Sequence, residues 1–75
     1  MKIKFAHVAV RIGAPYFKTL EKSFSVKEGN SYIKEGYLWA HYLVVKFVEE
    51  NIKNSSSKDV ERVLENSTIQ VKRFK

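Results

Sequence analysis

Hydrophobic and polar residues alternate along two segments of the chain, which predicts two β-strands. In residues 17–27, FKTLEKSFSVK, three hydrophobic residues and Lys22 fall in one phase, and hydroxyl-bearing and charged residues dominate the other. Residues 68–74, TIQVKRF, alternate in the same way, with Ile69 and Val71 in the apolar phase. This pattern is typical of antiparallel strands that have one face on a core and one face in water.

The first strand is predicted over residues 2–12, KIKFAHVAVRI, but its alternation is broken. Ile3 and Phe5 fall in one phase, whereas the two valines and Ile12 fall in the other. The phase therefore changes near His7. This predicts either a bulge at that point or a central strand that is covered on both faces for part of its length.

A three- and four-residue periodicity predicts one long helix that ends at about Asn51. Its apolar stripe consists of Ile33, Gly36, Tyr37, Ala40, Leu43, Val44, Phe47 and Val48. Asn30 or Ser31 is expected to cap the start of the helix by accepting its first backbone N–H groups. Glycine inside a helix costs about 1 kcal/mol relative to alanine, so Gly36 predicts a close approach of the helix to the sheet.

A polar break precedes a second, shorter helix that is predicted over residues 57–65. Ser56 followed by Asp59 fits the capping-box pattern at its start. The element order is then β-β-α-α-β, which predicts a single α+β domain over residues 1–75. We expect an antiparallel three-stranded sheet with the long helix on one face and the last strand beside the first.

Positive charge is concentrated at the two ends of the chain, whose net charge is +6. Residues 1–27 hold six basic and one acidic side chain, and residues 67–75 hold three basic and none acidic. Because the first and last strands are expected to pair, these charges should meet on the sheet face opposite the long helix. A basic sheet with an aromatic ring suits single-stranded RNA, because lysines contact phosphates and the ring stacks on a base.

The residues expected to bind nucleic acid are Lys2, Lys4, Lys27, Lys72 and Phe74 on that face, with Arg11, Arg73 and Lys75 near its rim. If about four phosphates are neutralised, log affinity should fall with log salt at a slope near −3. The alternative is a solvated sheet face, since lysines also discourage edge-to-edge pairing of sheets.

The long helix carries a second apolar ridge away from its main stripe. Leu38, Tyr42 and Val45 form this ridge, and Trp39 lies on its flank. A helix that is apolar on two sides is sandwiched or has a partner. We expect the second helix to cover part of the ridge. The remainder, above all Trp39 and Tyr42, is a candidate protein interface or homodimer contact, because Trp and Tyr anchor such interfaces.

The sequence predicts no enzyme, no metal site and no cofactor. The two histidines, His7 and His41, have no Cys, Asp or Glu partner at the spacing of a metal site. The serines at 55–57 have no paired base to activate a nucleophile. Glu49 and Glu50 are adjacent on a helix, so their side chains diverge and cannot act as an acid–base pair.

The chain is expected to be a soluble cytoplasmic protein without a membrane segment. It contains no cysteine, which excludes a disulfide framework and suits a reducing compartment. Its start, MKIKFAHVAVRIG, has only a short apolar run, whereas a secretory signal needs a longer one. The long helix carries charged residues and is too polar to span a bilayer.

Four stretches, KIKFAHVAVRI, TLEKSFSV, YLWAHYLVVKFVEENI and STIQVKRF, resemble the layout of small phage-encoded counter-defence proteins. Among these are β-β-α-β antagonists of host toxin ribonucleases from toxin–antitoxin systems. The resemblance covers most of the chain, and the second helix departs from the simplest version of that layout. It supplies no motif and hence no functional residue. It implies a protein that inhibits a host toxin or defence nuclease by binding RNA, or the toxin with its RNA, in the host cytoplasm.

The sequence therefore predicts a small non-enzymatic binding protein that engages RNA or a ribonucleoprotein. Two alternatives stay open. One is a protein-only inhibitor, whose positive charge would steer it to an acidic patch on its target. The other is a homodimeric domain whose charge serves only solubility.

Overall fold

The computed structural model of the protein describes residues 4–54 and 56–73, which form three strands and two helices. These elements are β1 (Lys4–Ile12), β2 (Lys18–Val26), α1 (Tyr32–Asn51), α2 (Ser57–Glu65) and β3 (Ser67–Arg73). Both β2 and β3 pair antiparallel with β1, so the sheet order is β2-β1-β3. The predicted α+β fold is confirmed, with the β-β-α-α-β order and the last strand beside the first.

The central strand β1 pairs with both neighbours without interruption. It pairs with β2 from Lys4 to Ile12 and with β3 from Ala6 to Ile12. The predicted bulge near His7 is therefore wrong, because no extra residue interrupts either register. Of the alternative, the central position of β1 is confirmed, but its second face is not covered at Phe5, which is 56% exposed. The helix-facing phase runs regularly through Ala6, and Phe5 points the other way.

Helix α1 packs across one face of the sheet and contacts all three strands. The buried core consists of Ala6, Val8, Val10, Ile12, Phe24, Val26, Ala40, Val44, Phe47, Val48 and Val63. The predicted stripe of α1 is wrong at two positions, because Ile33 is 48% and Tyr37 is 52% exposed. Its other members are buried or half-buried: Gly36, Ala40, Leu43, Val44, Phe47 and Val48. The short α2 lies against the second half of α1, where its Val60 shares a cleft with Val48, so it does not reach Ile33 or Tyr37.

At Gly36, α1 lies close against Val71 of β3, as a glycine inside the helix predicts. A Cβ atom at residue 36 would lie only 2.6 Å from Cγ1 of Val71. Real Cβ contacts are longer than 3.0 Å, so the helix can sit at this distance only because residue 36 has no side chain.

Both helices begin at the serines that the sequence indicates. Ser31 is the N-cap of α1, and its Oγ accepts a hydrogen bond from the Lys34 N–H at 3.3 Å. At the start of α2, the Ser56 N–H donates to Oδ2 of Asp59 at 2.7 Å. The predicted capping box is thus confirmed. Within the described ranges, neither helix is long and apolar enough to cross a membrane.

Candidate nucleic-acid interface

Four cationic side chains meet at one end of the sheet. Because β2 and β3 both run antiparallel to β1, the start of β1 lies beside the ends of its two neighbours: Lys4 pairs with Val26, and Ala6 pairs with Arg73. The cations at this end, here called the basic end, are Lys4, Lys27, Lys72 and Arg73, and all four are exposed. The pairing of the first and last strands thus brings positive charge from both ends of the chain together.

The four cations do not all lie on the sheet face away from α1, here called the open face. Lys72 pairs with His7, in the phase of the open face. Lys4 and Arg73 share the phase of Ala6, which faces α1. The prediction that Lys4 lies on the open face is therefore wrong, because no bulge shifts the phase of β1 between Lys4 and Ala6. The cations of the basic end therefore lie on both faces at the edge of the sheet and do not form one flat binding surface.

An exposed aromatic ring lies beside these cations. Phe5 is 56% exposed on the open face, diagonal to Lys72 across the β1–β3 pair, and such diagonal neighbours are about 7–8 Å apart. Sequence reasoning missed Phe5 because it placed this ring in the core. Alternation extended backwards from the valines of β1 would place it outside, whereas the apolar pair Ile3 and Phe5 indicates the opposite phase. The candidates Lys2, Phe74 and Lys75 lie outside the described residues.

Arg73 is held against the first turn of α1. Its guanidinium carbon lies 5.8 Å from the ring centroid of Tyr32, in a cation–π contact. The contact fixes the position of one cation while the side chain stays exposed.

Arg11 does not belong to the basic end. It lies seven residues from Lys4 along β1, which is about 23 Å in an extended strand. Between them the open face carries Glu21, whose Oε1 is 3.5 Å from Nε2 of His7. The middle of the open face therefore carries the carboxylate of Glu21 beside the imidazole of His7. Arg11 lies in the phase of the open face near the opposite end of β1, so the candidate cations separate along the strand.

The second apolar ridge of α1 is divided between two environments. Val45 is half-buried and lines a cleft with Val60 of α2, so α2 covers that part of the ridge as expected. On the other flank of α1, a groove of about 560 Å³ is open to solvent. The residues that line this groove, here called the helix groove, are Lys22, Glu35, Leu38, Trp39 and Tyr42.

Aromatic and cationic side chains contact one another in the helix groove. Nζ of Lys22 lies 5.0 Å from the ring centroid of Trp39, and the rings of Trp39 and Tyr42 meet edge to face at 5.7 Å. Lys22 belongs to the helix-facing phase of β2, as its position in the sequence predicts. Because β2 is an edge strand, the lysine can lie along the apolar surface and keep its ammonium group in water.

No group of three or more His, Cys, Asp or Glu side chains in the described part of the chain is arranged to hold a metal ion. In comparisons with protein-family models, with curated proteins and with solved structures, nothing matched this chain. The basic end and the helix groove are therefore the two surfaces of the described residues that indicate a function.

Proposed function

We propose that this protein binds single-stranded RNA at the basic end. The observation that carries the proposal is the meeting of Lys4, Lys27, Lys72 and Arg73 at one end of the sheet, next to the exposed ring of Phe5. Phosphates of a strand crossing this end would contact the four cations, and an unstacked base would lie on Phe5.

The arrangement favours a single strand over a duplex. A flexible strand can turn around the rim of the sheet, where the cations lie on both faces and at the strand ends. Recognition of duplex DNA usually uses a helix or ribbon inserted in the major groove, and the long helix α1 is packed on the sheet. An accessible base is also needed for stacking on Phe5.

The proposal is tested with a short fluorescent RNA and two charge-reversal variants. Lys27→Glu with Lys72→Glu removes two of the four cations of the basic end, and we expect binding to be lost. Lys53→Glu with Lys58→Glu changes the net charge equally, but both residues are exposed near and within α2. This control is expected to bind much more tightly than the first variant. Equal loss in both variants would show that only net charge matters and would contradict a defined site.

A second candidate function is a protein-only inhibitor that uses the same basic end against an acidic protein surface. The exposure of all four cations suits either partner, because rim charges steer association with an acidic patch. A pull-down from a bacterial lysate separates the two, when carried out with and without ribonuclease treatment. Partners that are lost after ribonuclease treatment support RNA binding, and partners that persist support direct protein binding.

Inhibition of a host toxin or defence nuclease is the biological role that the phage-protein resemblance implies, and it stays a prediction. RNA binding would allow such a protein to shield the substrate of a toxin ribonuclease. Growth of cells that express a toxin ribonuclease, with and without this protein, tests the role. Rescue that disappears with Lys27→Glu and Lys72→Glu would support it, and the absence of rescue across a panel of toxins would count against it.

A further inference from the structure

The helix groove is an exposed apolar surface in the middle of α1. Leu38 is 65% and Tyr42 is 48% exposed, and the half-buried Trp39 meets Tyr42 edge to face. Trp and Tyr are the residues that anchor protein interfaces, and large exposed apolar residues grouped on one face indicate such an interface. Neither the sheet nor α2 covers Leu38 and Tyr42.

The two ends of this surface carry opposite charges. Glu35 lines the groove toward the start of α1. Toward the end of α1, Nζ of Lys46 lies 5.6 Å from the ring centroid of Tyr42. Glu35 and Lys46 are eleven residues apart, or about 16 Å along the helix axis. The midpoint of this pair falls between residues 40 and 41, which is also the midpoint of Trp39 and Tyr42.

We propose that this face is the interface of a homodimer, in which α1 of two copies packs antiparallel about a two-fold axis. Such an interface pairs residue i with residue j and residue j with residue i. With the axis at the shared midpoint, Glu35 of each copy faces Lys46 of the other, and each Trp39 faces a Tyr42. Two ion pairs then flank an aromatic centre.

The helix groove carries charges of both signs, with Lys22 over the ring of Trp39 between Glu35 and Lys46. The placement of Glu35 and Lys46 at opposite ends favours a second copy as the partner. Glu35 would repel a uniformly acidic partner, and Lys46 would repel a uniformly basic partner. A second copy in antiparallel orientation complements both ends at once and also places the two helix dipoles antiparallel.

The size of the surface predicts an association that depends on concentration. α1 is about 30 Å long and, with its side chains, 10–12 Å wide. This footprint is smaller than the roughly 800 Å² per partner of stable complexes. The dimer is therefore expected to dissociate on dilution, and sedimentation velocity from micromolar to millimolar concentration should show a monomer–dimer equilibrium.

Charge reversal at either end of the interface tests its geometry. Glu35→Lys places like charges opposite each other at both ion pairs, and so does Lys46→Glu. Since like charges across an interface cost several kcal/mol, each variant alone should dimerise at least tenfold more weakly. Lys58→Glu, on the exposed side of α2, is the matched control and should dimerise like the wild type. Circular dichroism of each variant verifies folding.

Mixing the two variants provides the decisive measurement. In the mixed pair, every position 35 faces a position 46 of opposite charge, so Glu35→Lys and Lys46→Glu together should form a heterodimer about as tight as the wild-type dimer. A wild-type protein that is monomeric up to millimolar concentration would overturn the proposal. So would a dimer that tolerates both reversals, or two weakened variants that fail to pair with each other.

Discussion

Gly36 is the residue at which helix propensity and packing oppose each other. Alanine would stabilise an isolated helix by about 1 kcal/mol relative to glycine. In the folded protein, however, the new Cβ would lie 2.6 and 2.7 Å from the two methyl groups of Val71. A β-branched side chain has little rotamer freedom with which to move away, and overpacking of this kind costs about 1–3 kcal/mol.

We therefore expect Gly36→Ala to lower the free energy of unfolding by up to about 2 kcal/mol, the balance of the helix gain and the packing cost. The matched background is Val71→Ala, which removes the obstructing methyl groups. In that background, Gly36→Ala should become neutral or stabilising. Urea unfolding of the four proteins measures both effects, and an equal effect in the two backgrounds would contradict the close approach of α1 to β3.

Phe5 is the residue expected to stack on a base. Stacking on an aromatic ring contributes about 1–3 kcal/mol per base, so Phe5→Ala should weaken RNA binding by about 5- to 150-fold. Phe17 is the matched control, since it is 78% exposed but lies in the turn at the opposite end of β1. Phe17→Ala should leave the affinity unchanged. Equal effects of the two substitutions in a fluorescence-anisotropy titration would remove Phe5 from the site.

At the scale of elements, α2 is the less buried of the two helices, and its stability depends on its N-terminal cap. Only Val63 of α2 belongs to the buried core. Asp59 accepts hydrogen bonds from both the N–H and the Oγ of Ser56. Loss of such a cap costs about 0.5–2 kcal/mol. The negative carboxylate also stabilises the helix, because it lies at the positive end of the helix dipole.

We expect Asp59→Ala to destabilise the protein by about 1 kcal/mol and to accelerate amide hydrogen exchange mainly within α2. Lys58→Ala, one residue earlier and exposed, is the control and should do neither. Exchange that accelerates evenly in α1 and α2 would show that the cap acts on the whole fold and not on α2.

The elements themselves could be predicted from the sequence, because each has a clear local signal. The period of α1, the Ser56–Asp59 cap and the alternation of β2 place these elements close to their observed bounds. The phase of β1 could not be predicted from its own residues. Phe5 is apolar yet exposed, and only the register with two neighbouring strands decides which face it occupies.

The exposure of residues on α1 depends on neighbours that are distant in sequence. Ile33 and Tyr37 fit the apolar stripe, but they are exposed because α2 covers only the later half of the helix. In contrast, the split of the second ridge followed the expectation, since α2 lies beside Val45 and leaves Tyr42 exposed. The helical period shows which residues of α1 share a face. Whether that face is buried depends on where the later segment α2 packs.

At the scale of the whole molecule, strand pairing determines where the charge collects. The antiparallel order β2-β1-β3 places the start of the first strand beside the ends of the other two. Lys4, Lys27, Lys72 and Arg73 thereby become neighbours, while Arg11 is carried to the far end. The expected pairing of the first and last strands predicted that the two basic ends of the chain would meet. It did not predict the concentration at the rim, which follows from the strand register.

The salt dependence of RNA binding tests the central claim most directly. Four neutralised phosphates on a single strand give a log–log slope of about −3, and two give about −1.4. Anisotropy titrations of a short RNA at several salt concentrations should therefore give a slope near −3 for the wild type and for Lys53→Glu with Lys58→Glu. Single substitutions Lys27→Ala and Lys72→Ala should each reduce the slope by about 0.7. A wild-type slope near zero, or one that these substitutions leave unchanged, would contradict RNA binding at the basic end.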